Sequence, residues 1–157
     1  MTPNLPWQAS VQRAMFGAIC VVILYHTLVA APWLLKHAPP EVFRPAASTI
    51  IVPFFMVQAA LFVLALMLER LTVKNLPRLG MMIAALIILA GQWHDLKVMQ
   101  SIRESLPPGV DLAQTKWPQL HAISLALNAV TLVLAAVLYF KSRQIIHHEG
   151  TKSTKKV

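Results

Sequence analysis

The chain predicts an all-α fold: an integral membrane four-helix bundle with N- and C-termini cytoplasmic. Three observations carry this expectation. Hydrophobic residues make up 57% of its 157 residues and charged ones only 13%, against about 25% charged in ordinary soluble domains, and the mean hydropathy is +0.60. The apolar residues gather into four runs, each close to the roughly 20 residues that a bilayer core of about 30 Å requires of a helix. The basic residues between the runs fall unequally on the two sides.

Residues 1–13 form a short N-terminal segment, and the bundle proper is expected over 14–143. The first span, 14–34, is interrupted only by Tyr25, His26 and Thr27. Its apolar run exceeds the roughly 7–15 residues of a signal-peptide core, and Pro32 would follow a cut after Val29-Ala30-Ala31, so it reads as a retained span. The second span, 46–68, contains Pro53, which a membrane helix tolerates as a kink when neighbours satisfy the freed carbonyl. The third, 76–93, carries Pro77 in its first turn, where the missing N–H costs nothing. Beyond it, Leu96, Val98, Met99 and Ile102 alternate with Lys97, Gln100 and Arg103. This pattern predicts an outer helical segment over 94–106, lying on the bilayer surface or running straight out of it. The fourth span, 120–140, stops at Lys141-Ser142-Arg143. The tail, 144–157, has too little apolar content to pack and is expected to be disordered.

Four spans place the N-terminus, the second connection and the C-terminus on one side. That side carries nine Lys and Arg residues, including Arg13, Arg78 and Lys141, with two acidic residues; the other carries five, with four acidic residues. Short-loop basic excess marks the cytoplasmic face. The net charge of +8 is therefore an orientation signal and an attraction to anionic lipid headgroups, not the basic face of a nucleic-acid binder, and the lipid bilayer is the expected partner. Cys20 is the one cysteine, so a disulfide framework and a thiolate zinc site are excluded.

The candidate functional residues lie toward the outer side. His26 and Asn128 each fall eight residues from the outer end of their spans and share a depth, so Asn128 is a natural hydrogen-bond partner for His26. His121, Ser124 and Asn128 recur at i, i+3 and i+7, a polar stripe expected to face the bundle interior. Gln92, His94, Ser48 and Thr49 fall at the same side, whereas the inner half holds little that is polar except Gln58. Trp33, Trp93 and Trp117 read as an interfacial aromatic belt.

Two readings of the histidines follow. His94 and His121, at the outer ends of consecutive antiparallel helices, could ligate haem b axially, with His26 as a replacement for either. Two or three of the same residues with Asp95 could instead hold a divalent metal. There is no His-Glu-x-x-His, no glycine-rich phosphate loop and no complete Ser/His/Asp set, so no catalytic residue is assigned.

Two segments match a family pattern. Val29-Ala30-Ala31-Pro32-Trp33-Leu34-Leu35 resembles the Val-Val-Ala-Pro-x-Leu-Phe element of the transmembrane-protein-205-like group, known in bacteria as domain of unknown function DUF4149. Leu120 to Asn128 is similar to that group's Leu-His-Gly-x-Ser-x-x-x-Asn element. The resemblance spans roughly 12–143; Ala122 stands where the group has glycine, and His26 where it more often has an aromatic residue. It implies a four-helix protein of the bacterial inner (plasma) membrane without an established biochemistry, and Pro32, His121, Ser124 and Asn128 as its matching positions. The expectation is a structural or accessory protein, alone, as a homo-oligomer, or as a subunit of a larger membrane complex. A haem- or metal-binding redox protein and a small transporter or channel past His26 and Asn128 are the alternatives.

Overall fold

In the computed structural model, which describes residues 6–37, 40–69, 75–106 and 114–153, every extended element is helical. Helix α1 spans Pro6–Tyr25 and passes through a π-helical turn, His26–Ala30, into α2, Ala31–His37. Helices α3 (Pro40–Leu68), α4 (Leu76–Ser105) and α5 (Trp117–Ser153) follow. Among the described residues, four stretches are long and apolar enough to cross a membrane, Trp7–Trp33, Ile51–Leu68, Leu76–Ile102 and Trp117–Ser142. The protein is a multi-pass membrane protein built as a four-helix bundle.

The register of the bundle is written in its buried positions. They are Ala9, Gln12, Phe16, Ile19 and Ile23 on α1, and Arg78, Met82, Ala85, Leu89, Gln92, Leu96 and Met99 on α4. On α5 they are Asn128, Thr131, Ala135, Leu138 and Ser142, and α3 adds Phe54, Phe55, Gln58, Phe62, Ala65 and, just past its end, Glu69. Steps of three and four alternate along α1, α4 and α5, which is the 3.5-residue repeat that keeps one seam facing its neighbours in a left-handed bundle. α1 packs most extensively on α5, and α1–α3, α3–α4 and α4–α5 complete a ring. Side chains near the start of α1, the end of α3, the start of α4 and the end of the α5 span meet at one end of the molecule. Successive spans therefore run antiparallel. This end is termed the N/C end and the opposite one the far end.

The helix boundaries sharpen those expected. Pro32 sits inside the first span, which continues past it. It has no N–H to give the Leu28 carbonyl and its ring crowds that group, so the turn before it widens, with the Ala31 N–H bonding back to His26 O, five residues earlier. The outer segment continues straight from the third span, one of the two courses expected of it, and both form one helix, α4, because Leu96 and Met99 prolong its buried seam. Helix α5 runs on to Ser153 where a disordered tail is expected from 144: its backbone hydrogen bonds continue from the span and require no apolar side chains. Residues 154–157 lie outside the described part.

Candidate functional site

Polar side chains enter the bundle in two regions, and only one of them was expected. At the N/C end, Gln12, Glu69, Arg78 and Ser142 form one buried layer with a contribution from each span. The Gln12 side-chain amide donates from Nε2 to Glu69 Oε2 and to the Ala65 carbonyl, both at 3.0 Å. Arg78 Nη2 donates to Gln12 Oε1 at 3.1 Å and to Ser142 Oγ at 3.0 Å, and lies 3.4 Å from Glu69 Oε2. Ser142 in turn donates to the Leu138 carbonyl at 2.8 Å. The ion pair is almost fully buried, its side chains 7% and 1% exposed. Arg78 Nε and Nη1 are buried without a protein partner. A charged pair in this setting holds only because each charge has the other and the neutral groups around it carry hydrogen bonds.

This layer corrects the expectation that the inner half of the bundle is almost wholly apolar. Arg78 and Glu69 read in sequence as loop charges, and Gln12 as part of a segment preceding the first span. The helix in fact begins at Pro6, which carries Gln12 into the seam, and Arg78 stands four residues before Met82 on the seam of α4. The available signal was the 3–4 periodicity itself, which continues through the charged residues.

The far half holds the residues the sequence singles out. The His26 ring packs on Phe54 of α3, centroids 4.2 Å apart. The expected His26–Asn128 hydrogen bond is not made: Asn128 is buried with Oδ1 unpartnered, because the ring turns toward α3 rather than across to α5. His121 and Ser124 do continue the seam of α5, but that seam runs out of neighbours at the rim, so Ser124 is half-buried and His121 exposed. His121 stacks on Trp117, one turn earlier, at 5.0 Å. His94 is 77% exposed, with Nδ1 3.8 Å from its neighbour Asp95. Pro32 is exposed beside Trp33, whose ring stacks on His37 and whose carbonyl lies 3.0 Å from His37 Nδ1.

Among the described residues no three His, Cys, Asp or Glu side chains gather as a metal site. Three amides are buried beyond the N/C layer, Gln92 and Asn128 in the far half and Gln58 near the middle of its span rather than in the inner half, each with its side-chain oxygen unpartnered. Gln92 Nε2 donates across to the Ser124 carbonyl at 3.1 Å, and Gln58 Nε2 makes a long 3.5 Å contact with the Phe54 carbonyl of its own helix. No protein-family model, curated protein or solved structure matches the chain.

Proposed function

We propose that the protein is a structural or accessory component of the bacterial inner membrane, a small subunit of a larger membrane complex with both termini in the cytoplasm. The supporting observation is the buried Gln12–Glu69–Arg78–Ser142 layer. It ties all four spans together, and its hydrogen bonds stay within the bundle, with Arg78 Nε and Nη1 left without a protein partner, so its chemistry serves architecture. The excess of Lys and Arg on the N/C side supports the orientation, and the two sequence elements around Pro32 and His121 support membership of the transmembrane-protein-205-like group. Purification from native membranes in mild detergent, with cross-linking and mass spectrometry, tests this reading. A stoichiometric protein partner is expected, and a monodisperse free chain with nothing attached would sink it.

A second reading, a small transporter, has one observation in its favour. The unpartnered oxygens of Gln58, Gln92 and Asn128 could receive a solute carrying hydrogen-bond donors. Solute flux in proteoliposomes that is lost with Asn128→Leu would support it, and flux equal to that of empty vesicles would end it.

A further inference from the structure

Above the buried layer, on the side of the bundle where α1 meets α5, a second arginine is handled differently. Arg13 Nη2 donates to the Tyr139 hydroxyl at 3.0 Å, and its guanidinium carbon stands 4.9 Å over the Tyr139 ring. The ring is in turn seated against α1 at Gly17, where an added Cβ would lie 3.4 Å from it. Among the described residues no carboxylate pairs with Arg13, in contrast to Arg78. Ser10, Arg13, Ala14 and Tyr139 line an open cavity of about 280 Å³, small beside the roughly 300–1,000 Å³ of drug-sized ligand sites.

The depth fits a membrane surface. Arg13 lies six residues into the span that starts at Trp7, about 9 Å along the helix, and a long basic side chain reaches back from that depth to the headgroup layer. We infer that the groove between α1 and α5 is a binding site for the phosphate of an anionic phospholipid, held by the Arg13 guanidinium and oriented by Tyr139. A guanidinium presents its donors in a fork that matches phosphate oxygens. The tyrosine spends one donor and fixes the plane of the group, so the remaining N–H groups are available to a ligand in the cavity. Free inorganic phosphate offers the same oxygens, and the two sources differ in whether acyl chains anchor the ligand along the apolar faces of α1 and α5. The site does not depend on any protein partner.

The test is lipid retention. The full chain and three variants, Arg13→Gln, Ala14→Trp and Lys141→Gln, are purified from membranes containing phosphatidylglycerol and phosphatidylethanolamine. They are washed in detergent at about 1 M salt, where the Debye length falls to about 3 Å and diffuse attraction is lost. Retained lipid is quantified by mass spectrometry, with helix content checked by circular dichroism. The unaltered chain is expected to keep phosphatidylglycerol in stoichiometric amount. Arg13→Gln should keep about tenfold less, and Lys141→Gln, which removes an exposed charge on the same side, should stay within about twofold. Ala14→Trp fills the cavity from an exposed position while leaving the arginine in place, so its loss of lipid would support the site even if Arg13→Gln fails to fold. Unchanged retention in Ala14→Trp, equal losses in Arg13→Gln and Lys141→Gln, or displacement of the lipid by millimolar inorganic phosphate would each overturn the assignment.

Discussion

The two ends of this bundle spend their buried polar groups in opposite ways. At the N/C end, four of the side-chain hydrogen bonds of the layer run between different spans, and a buried carboxylate faces a buried guanidinium. In the far half one bond crosses between spans, from Gln92 Nε2 to the Ser124 carbonyl, and others stay within their own helix. Thr131 Oγ1 donates to the Leu127 carbonyl at 3.0 Å, and Gln58 reaches only the Phe54 carbonyl. Three amide oxygens there have no protein partner. The physical difference lies in reach and charge. Long side chains at the mouth of the bundle can span the interhelical gap and meet a partner of opposite charge, whereas amides between apolar layers meet mainly hydrocarbon. The first arrangement fixes helix register, and the second leaves acceptors exposed to whatever enters.

Breaking the N/C layer should therefore have the largest effect. Arg78→Met leaves Glu69 buried without a counter-charge and is expected to cost about 3–5 kcal/mol, read as a lowered unfolding midpoint in detergent. A midpoint within a degree of the unaltered chain would show that the layer carries no stability. Gln12→Leu is next, because it removes one of the two contacts to Glu69 Oε2 and one acceptor of Arg78 Nη2. The expected loss is about 1–3 kcal/mol.

The far half should respond in the other direction. Replacing Gln58 by leucine removes an unpartnered buried oxygen at the cost of one 3.5 Å contact, so stability should change by no more than about 1 kcal/mol and can rise. A loss comparable to that of Gln12→Leu would mean that Gln58 has a partner, such as bound water or solute. The smallest effects belong to the rim. His94→Ala and His121→Ala replace exposed side chains and should stay within about 0.5 kcal/mol. The same preparations test the haem reading: a Soret band in the unaltered chain that disappears with either substitution would assign both residues as ligands.

Much of this contrast was hidden in the sequence, and the reason is specific. Four spans, their order and the seam of α5 through His121, Ser124 and Asn128 follow from apolar run length and i, i+3, i+7 spacing alone. Charge, however, reads as exposure. Arg78, beside Pro77 and the basic loop, looks like a topology signal, and only its place four residues before Met82 marks it as buried. Glu69 and Ser142 are masked in the same way by Arg70 and by the flanking Lys141 and Arg143. The turn at His26–Ala30 was half legible: Pro32 announces a disturbance in the helix, but hydrogen-bond geometry decides that the chain widens to a π turn and carries on rather than stopping. Side-chain direction across the bundle is not legible in sequence, so depth alone pairs His26 with Asn128, whereas the ring packs on Phe54.

The central claim is that the buried side chains of Glu69 and Arg78 couple to each other, whereas those of Gln58 and Gln92 bond only to backbone carbonyls. A double-mutant cycle measures this directly, with Glu69→Leu, Arg78→Met and their combination compared with Gln58→Leu, Gln92→Leu and theirs. The account predicts a coupling of about 2–3 kcal/mol for the first pair and less than about 0.5 kcal/mol for the second. Equal couplings, or a near-zero value for Glu69–Arg78, would contradict it.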